Sequence, residues 1–559
     1  MPPLLSPLPR VAPRALRLCL GRRYLSASAP GGDFAVIGGG ITGLSTAWFL
    51  YQRSQTTDQK KHRTKITLFE AADRTGGWIQ SKHVDVPGGR VLFETGARTL
   101  RPTPPGGRAV ATLIEELGLK DDLIFGSKDS PAAIRRWLYN GKLVELPHPK
   151  LGLLDLGMKL FTQPALKGII SGVFSEPQVS PRPDNVTDES VGSFVTRRMN
   201  KAIANNLTSA VFHGIYAGDI WQLSARSLLP SLWHGEKEYG SLVLGSPAIR
   251  TLWEEKDEAL QKRLFETDAP ADLVLRHNMA SSSVFTLRGG LEQLSRRLEE
   301  KLLQKGVTIR KGTPVTKLEP SEDKLRVKVF TKDSAEPQTF TNVIATCPAK
   351  TLSSMLTAPS GTPLVPLLST IPAVTVNVIN LWYPDPHLLP IRGFGSLIPQ
   401  TTPLEDNPCW ALGIVYDSEI VQGQDSVPGT KLTVMLGGHW WDGWSEIPGE
   451  EQSIRFAKET VARQLGITAE PAAVNFSSQK ECIPQYTVGH TARMAQAHHG
   501  LKRTFGDGLS VAGSSYTGVG VNDCIKAAYN NVVWNMATGL EPFTVKAKYR
   551  SINMPNPWE

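Results

Sequence analysis

The sequence predicts an α/β protein in which a parallel sheet is assembled from separated segments of the chain. Three observations favour this fold class. Phe34–Ile37 is an apolar run that leads into a glycine-rich turn and then into helical spacing. A β-α-β pattern returns within residues 280–350 after a long interruption. Near the end of the chain, residues 509–513 predict a further short strand before another turn and helix.

The turn after the first apolar run carries three spaced glycines, Gly38, Gly40 and Gly43, in the pattern G-x-G-x-x-G. In a β-α-β unit such glycines allow a tight turn, a close approach of the backbone to a pyrophosphate, and tight packing of helix on strand. The pyrophosphate then lies at the helix N-terminus, where unpaired N–H groups and the helix dipole favour an anion. The pattern therefore predicts a Rossmann-like dinucleotide site.

A second strand, residues 65–69, ends at Glu70, where an acid can bind a ribose hydroxyl. The interval between the glycines and this acid is longer than usual, and the polar stretch 54–63 accounts for it as a surface loop insertion. Glu70 continues as E-x-x-x-R-x-G-G through Arg74 and Gly77. This extended signature resembles the FAD-binding oxidases of the amine-oxidase superfamily rather than NAD dehydrogenases.

The chain of 559 residues is too long for one hydrophobic core, so two or three domains are expected. Residues 1–32 contain five arginines and no acid, and they supply much of the formal net charge of +9. An Arg-rich, acid-free segment of this kind predicts a mitochondrial transit peptide, and a disordered basic tail is the alternative. The remainder has no basic tract, so nucleic acid is not an expected partner.

The five cysteines are widely spaced without a C-x-x-C pair, which favours buried thiols over disulfides or metal ligands, and no metal is expected. The sequence has no stretch of about eighteen consecutive apolar residues, so a transmembrane helix is not expected. Residues 151–174 are nevertheless unusually apolar, with Lys159 and Lys167 among their few charges. They fit equally a membrane-surface patch and a helix packed in the core.

Two further features belong to the second half of the chain. Residues 373–383, 410–418 and 431–437 alternate Val, Ile, Leu and Met, which predicts an antiparallel sheet and a second layer. The last predicted helix has Asn522 and Asp523 as natural N-caps. Its N-terminus, if aimed at the cofactor, would stabilise negative charge there.

From about residue 33 to residue 540 the chain resembles the protoporphyrinogen oxidases of that superfamily, especially mitochondrial members of the fungal type. The stretches that carry the resemblance are widely separated and specific. They are FEAADRTGGWI at 69–79, PAAIRRWLY at 131–139, IYAGD at 215–219, TLRGG at 286–290, GFGSL at 393–397, GIVYDS at 413–418, VMLGG at 434–438, CIPQYTVGH at 482–490 and VNDCI at 521–525.

The resemblance implies a flavoprotein that oxidises protoporphyrinogen IX to protoporphyrin IX, the penultimate step of haem biosynthesis. Six hydrogens would leave in three two-electron steps, and dioxygen would reoxidise non-covalently bound FAD to give hydrogen peroxide. It also implies a peripheral position on the mitochondrial inner membrane. A homodimer and a contact with the ferrochelatase step stay open.

These patterns and the resemblance together imply an α/β, Rossmann-like FAD-binding domain built from separated segments, a mixed α+β substrate domain, and a helical, membrane-associating part. The segments are 1–32, transit peptide; 33–115, 280–350 and 480–545, FAD-binding domain; 116–150 and 355–478, substrate domain; and 151–275, helical region.

Carried over position by position, the resemblance implies two sets of site residues and no identified catalytic group. The cofactor contacts are Gly38, Gly39, Gly40, Ile41, Thr42, Gly43, Glu70, Ala71, Arg74, Gly77, Trp78, Gly96, Ala97, Arg98, Thr99, Val315, Ser514, Val519, Gly520 and Val521. The substrate contacts are Arg136 facing a propionate, Phe394, Leu397 and Met435 clamping the ring, and Val211 and Gly214 on the opposite wall. Thr99 and its neighbour Leu100 depart from the glycine and isoleucine common in the family.

The chemistry of the substrate agrees with this assignment, because a flat apolar macrocycle with two carboxylates needs apolar walls and a cation. Without the resemblance, Arg136 could be a surface arginine, and Leu397 and Met435 could be ordinary core residues. Two other functions compete. One is an amine oxidase or carotenoid desaturase on the same fold, and the other is a non-catalytic flavin-binding scaffold.

Overall fold

The computed structural model describes residues 32–55, 64–102, 107–148, 150, 152–243, 245, 251 and 273–534. The strands are β1 Asp33–Ile37, β2 Lys65–Phe69, β3 Ser81–Val86, β4 Gly89–Glu94, β5 Leu123–Ser127, β6 Trp137–Tyr139, β7 Leu143–Glu145, β8 Ser282–Leu287, β9 Thr308–Arg310, β10 Val315–Pro320, β11 Val327–Thr331, β12 Gln338–Phe340, β13 Asn342–Ala345, β14 Ala373–Tyr383, β15 Gly395–Leu397, β16 Ala411–Val415, β17 Thr430–Gly437, β18 Ala473–Pro484 and β19 Leu509–Val511.

The helices alternate with these strands or gather between them. They are α1 Ile41–Ser54, α2 Gly107–Glu116, α3 Pro131–Ile134, α4 Leu153–Thr162, α5 Ile169–Ser175, α6 Val191–Arg198, α7 Lys201–Ile203, α8 Ser209–Tyr216, α9 Ala225–Leu228, α10 Pro230–Tyr239, α11 Leu273–Ser281, α12 Glu292–Gln304, α13 Ala349–Met355, α14 Asp417–Ile420, α15 Glu450–Leu465, α16 His490–Phe505 and α17 Val521–Trp534. A single π-helical turn, Ala204–Thr208, joins α7 to α8.

A five-stranded parallel sheet forms the first layer, in the order β19-β13-β1-β2-β9. Its central strand β1 pairs on one side with β2 and on the other with β13, about 300 residues later in sequence. One face is buried by α1, α12 and α17, and the other by the β10–β12 sheet with α13 and α16. The predicted mixed α/β class is confirmed, and the sheet is assembled from distant segments as expected.

A seven-stranded sheet forms the second layer, in the order β18-β14-β17-β16-β15-β6-β7. The three stretches predicted as antiparallel strands are β14, β16 and β17 at its centre. One face packs on α15 through residues such as Val434 and Val461. The other face presents Val378, Leu412 and Met435 toward Ala217, at the end of α8. This second face is therefore packed against the C-terminal end of α8.

The helical region from α4 to α10 is tied together by ion pairs that are shielded from water. Arg198 and Glu176, both fully buried, form one pair. Glu236, also fully buried, accepts from Arg182 at 2.8 Å and from Arg197 at 2.6 Å. Since removing one partner of such a pair leaves an uncompensated buried charge, these contacts hold the helices in one arrangement. In the portion of the chain described, no helix has both the length and the apolarity to span a bilayer.

Several sequence predictions fall outside the described residues. They concern the transit peptide over residues 1–31, most of the loop insertion, residues 56–63, the part of the helical region at 252–272, and the last residues of the FAD-binding domain, 535–545. The cysteines that the structure describes are free thiols, and burial raises the pKa of each, as shown by Cys347 and Cys524, whose pKa values rise to about 12.

Candidate active site

The turn between β1 and α1 has the geometry of a phosphate cradle. Gly38 adopts φ +103°, which favours glycine, and its N–H donates to the Phe69 carbonyl at 2.8 Å. A Cβ on Gly43 would overlap the Gly38 carbonyl oxygen, so helix and strand pack too closely for a side chain there. α1 has no side-chain N-cap and no acid in its first turn. The N–H groups of Ile41 and Thr42 therefore remain available to an anion.

Glu70 lies at the carboxyl end of β2, beside this turn. Its two carboxylate oxygens accept from the Gly39 N–H at 2.5 Å and from the Ala72 N–H at 2.8 Å. Ala71, between Glu70 and Ala72 in sequence, is exposed. Each carboxylate oxygen keeps a second lone pair, which can accept a hydroxyl hydrogen. The acid is thus fixed by the backbone and oriented for a ribose.

The loop after Glu70 closes over the glycine turn. Gly76 donates its N–H to the Gly39 carbonyl at 2.8 Å, and a Cβ on Gly77 would lie 3.2 Å from Gly40 Cα. The Arg74 guanidinium donates to the carbonyls of Thr75 at 3.0 Å and Gly77 at 2.6 Å. Arg74 therefore braces this loop from within.

The next predicted cofactor residues, Trp78 and Gly96–Thr99, follow the first layer toward the second. A Cβ on Gly96 would overlap the Trp78 carbonyl oxygen, and the Trp78 side chain is exposed. Ala97 packs at the edge of the core of the first layer, whereas Arg98 and Thr99 line a small cavity between the layers. The Arg98 guanidinium donates to Asp417 at 3.2 Å, with about 13% of its side chain exposed. Sequence reasoning did not find Asp417.

The segment before α17 approaches the start of α1. A Cβ on Gly513 would lie 3.4 Å from Thr42 Oγ1. The Tyr486 hydroxyl donates a hydrogen bond to the Ser514 carbonyl. Val519, Gly520 and Val521 then lead into the helix. Val315 lies apart from them, two residues after Thr313, whose N–H donates to the Glu70 carbonyl at 2.9 Å.

Neither of the two residues predicted to cap α17 is its N-cap, because the helix begins at Val521 and both lie inside its first turn. Asp523 lies in the first turn and accepts the Gly520 N–H at 3.3 Å, while burial raises the pKa of its carboxyl group. The prediction for Asn522 is wrong, because its amide donates to the Arg101 carbonyl at 3.0 Å instead. The helix begins at Val521, so Asn522 lies inside the helix and its side chain points to another segment.

These elements fit FAD. The uncapped α1 offers N–H groups for the pyrophosphate, and Glu70 suits the ribose. A Cβ on Gly40 would meet only Gly77 Cα, at 3.9 Å, so the space over the turn is open. Gly38–Gly43, Glu70 and the loop before α17 would hold the cofactor.

Arg136 is placed for a carboxylate ligand in the second layer. Its guanidinium lies 4.9 Å from the centroid of the Phe394 ring and donates to the carbonyls of Ala132 and Ala133, both at 3.1 Å. Burial lowers the pKa of Arg136. Its neighbour Arg135 is half exposed and pairs with Glu145 at 3.3 Å. Arg135 thus already has an acidic partner, whereas the Arg136 side chain donates to backbone carbonyls and is the better placed of the two for an anionic ligand.

Apolar side chains lie on two sides of this position. Leu397 at the end of β15 faces Gly214 of α8, where a Cβ would lie 2.6 Å from Leu397 Cδ2. Met435 is paired in register with Val378 and packs near Phe394. Val211 is half-buried one turn before Gly214. Gly214 of α8 is therefore in direct contact with Leu397 of β15, while Met435 and Phe394 pack against one apolar cluster of the sheet.

A buried histidine pair, which sequence reasoning missed, fastens α8 to the sheet. His213 Nδ1 donates to the Ile398 carbonyl at 2.7 Å, so its Nε2 accepts from His439 Nε2 at 2.8 Å. Burial, with a contribution from His439, lowers the pKa of His213 to about 3. Both rings are therefore neutral at physiological pH, and they position the helix that carries Gly214.

Comparisons with known proteins agree with this geometry. Residues 41–532 match the family described as flavin containing amine oxidoreductase. The chain therefore belongs to the flavin-containing amine oxidoreductases, and FAD is its cofactor. The crystal structure of a protein from Exiguobacterium sp. 255-15 superposes with a TM-score of 0.67 at 22% identity, covering 90% of this chain and 98% of that one. This likeness supports the fold.

Sequence relatives narrow the assignment. The Schizosaccharomyces pombe protoporphyrinogen oxidase is 35% identical over 504 residues, which is 88% of this chain and 96% of the relative. The Homo sapiens protoporphyrinogen oxidase is 35% identical over 518 residues, or 92% of this chain and 99% of the relative. Within its class, the chain is a member of the protoporphyrinogen oxidase family, as the sequence motifs predicted.

Proposed function

We propose that this protein oxidises protoporphyrinogen IX to protoporphyrin IX with FAD as the bound acceptor and dioxygen as the final one. The observation that carries the proposal is the identity of 35% over nearly full lengths to protoporphyrinogen oxidases. Removal of six hydrogens in three two-electron steps consumes three dioxygen molecules and yields three hydrogen peroxide molecules. The reaction is the penultimate step of haem biosynthesis.

Each group of residues has a physical role in this reaction. Bound FAD, held by Gly38–Gly43, Glu70 and the loop before α17, would supply the hydride acceptor and the route for electrons to dioxygen. Arg136 binds a propionate through charge-assisted hydrogen bonds, which fixes the orientation of the macrocycle. Leu397, Met435 and Phe394 exclude water from its faces, so that the carbon to be oxidised is held against the cofactor. No side chain of the pocket is assigned as the proton acceptor.

Steady-state turnover tests the proposal. The purified flavoprotein, mixed with protoporphyrinogen IX in air, should form fluorescent porphyrin with three dioxygen consumed and three hydrogen peroxide formed per porphyrin. Heat-denatured protein provides the rate of spontaneous oxidation. Turnover of primary amines without porphyrin formation would instead favour the amine-oxidase alternative. A bound flavin that neither substrate bleaches would favour the non-catalytic scaffold.

We further propose a peripheral contact with the mitochondrial inner membrane through α4 and α5. Phe174 and Met158 on these helices are 76% and 65% exposed, so each presents a large apolar side chain at the surface. In the same segment, Leu166 is buried with Ala210 of α8 and packs beside Leu397. The same segment thus offers apolar side chains both at the surface and beside Leu397, which suits a substrate delivered from lipid.

Liposome sedimentation distinguishes the side chains of residues 151–174 that contact the membrane from those that pack in the core. The double variant Met158→Ser, Phe174→Ser should bind anionic liposomes less while its melting temperature and detergent-supported activity stay unchanged. Leu404→Ser, at a leucine that is 60% exposed in a distant loop, is the matched surface control. Liposome binding equal to that of the unmodified protein in the double variant would contradict the membrane contact.

Mitochondrial import belongs to the same proposal and is supported by the arginine-rich, acid-free residues 1–32. A fluorescent protein fused after residue 32 should enter mitochondria, and a cytosolic signal would contradict import. A homodimer and a contact with ferrochelatase, which consumes the product, are proposed as well. Light scattering and co-sedimentation of the two enzymes test them.

A further inference from the structure

Arg136 has a second arginine for a neighbour. After burial, the positive charge of Arg101 is the other influence that lowers the pKa of Arg136. Among the described residues, no acidic side chain pairs with either arginine, and the hydrogen bonds of the Arg136 side chain go to backbone carbonyls. Two cations without a carboxylate between them repel, and partly buried charges in proteins are normally paired.

The fold, rather than chance contact of long side chains, sets this proximity. Leu100 pairs with Phe285 of β8 through two backbone hydrogen bonds of 2.8 and 2.9 Å. The adjacent Val284 packs against Ala132, and the Ala132 carbonyl accepts from Arg136. The strand β8 thus connects the backbone next to Arg101 with the short helix that precedes Arg136.

Arg101 is also anchored toward the cofactor. Its carbonyl accepts from Asn522 in the first turn of α17, the helix that follows the predicted cofactor residues 519–521. Its side chain is exposed, so it can turn toward a ligand bound by Arg136 without first breaking an ion pair. The backbone of Arg101 is therefore held by α17 on one side and, through β8, is connected to the segment that carries Arg136 on the other.

We propose that Arg101 is a second carboxylate-binding residue of the substrate site, so that Arg136 and Arg101 each bind one of two carboxylates on the same edge of the substrate. This inference rests on the proposed function, whose substrate carries two propionates. The paired cations would favour a dicarboxylate over the corresponding diester, since an ester cannot neutralise the repulsion between the guanidinium groups.

Kinetics with protoporphyrinogen IX and its dimethyl ester test the assignment. Arg101→Gln should raise KM for the diacid about three- to tenfold with kcat nearly unchanged, and should leave KM for the diester unaltered. Arg136→Gln should raise KM for the diacid more, by about 10- to 100-fold, because that guanidinium is less exposed. Arg101→Lys, which keeps the charge, should recover most of the affinity. Arg135→Gln is the matched control and should behave as the unmodified protein.

The double variant Arg101→Gln, Arg136→Gln tests whether each arginine binds one of the two carboxylates. With one carboxylate on each arginine, the two increases in KM multiply. A double variant no worse than Arg136→Gln would overturn the division, and an Arg101→Gln variant that raises KM equally for diacid and diester would show a structural role. Unchanged kinetics in Arg101→Gln would remove the residue from the site. If the unmodified protein oxidises neither substrate, the proposed function itself fails and this inference with it.

Discussion

Gly40→Ala should separate binding of FAD from stability of the protein. In the structure, an added Cβ would meet only Gly77 Cα, at 3.9 Å, which is an ordinary van der Waals contact. The backbone at Gly40, with φ −68° and ψ 179°, is one that alanine adopts readily. The protein alone therefore offers no reason for glycine at this position. A reason exists only if a ligand comes close to the backbone there.

The expected magnitudes follow from this geometry. The cofactor-free protein should unfold within about 0.5 kcal/mol of the unmodified chain, or become more stable by up to ~1 kcal/mol, since alanine restricts the unfolded state. A methyl group inserted against the pyrophosphate should cost about 1–3 kcal/mol of binding free energy. The dissociation constant for FAD should rise accordingly, by roughly 5- to 150-fold.

Gly43→Ala is the matched comparison, because its Cβ would overlap the Gly38 carbonyl and force α1 away from β1. That variant should lose stability even without cofactor. Thermal unfolding of the cofactor-free proteins and FAD titration followed by flavin fluorescence measure both effects. If Gly40→Ala binds FAD as tightly as the unmodified protein while remaining stable, the pyrophosphate does not lie over this turn.

Two other predictions concern stability. Burial lowers the pKa of His213 to about 3 from 6.5, so between these values the unfolded chain is protonated and the folded one is not. Stability should therefore fall as pH drops from 6.5 toward 3, by about 1.4 kcal/mol per pH unit, and His213→Asn should flatten that slope in urea unfolding at pH 5 and pH 7. An unchanged slope would show that His213 is not the titrating group. Asp417→Asn should lower the free energy of unfolding by about 3–5 kcal/mol, because it leaves the Arg98 guanidinium without its countercharge. Asp85→Asn, in an exposed pair with Arg90, should cost less than about 1 kcal/mol, and equal losses in the two variants would contradict the importance of burial.

The cofactor half of the fold was predictable because its signals are local. An apolar strand, spaced glycines and an acid at the end of the next strand all occur within one β-α-β unit, and the structure forms each of them. The central strands β14, β16 and β17 were visible for the same reason, since alternation within each strand reflects a sheet with distinct faces.

What the sequence did not reveal depends on contacts between distant segments. Arg98 finds Asp417 more than 300 residues away, and His213 pairs with His439 across α8 and the turn after β17. No periodicity records such contacts, because each partner satisfies its own local pattern. The apolar stretch 151–174 had two open interpretations, a membrane-surface patch and a core helix; the structure buries Leu166 in the core and leaves Phe174 exposed, and the membrane contact stays a proposal.

Anaerobic reduction tests the central claim most directly. Mixing the oxygen-free flavoprotein, in excess, with protoporphyrinogen IX should bleach the visible flavin absorbance, with three flavins reduced for each porphyrin formed. Admission of air should restore the absorbance. Porphyrin formation without flavin bleaching, or a flavin that stays oxidised in the presence of substrate, would contradict an FAD-dependent oxidation of protoporphyrinogen by this protein.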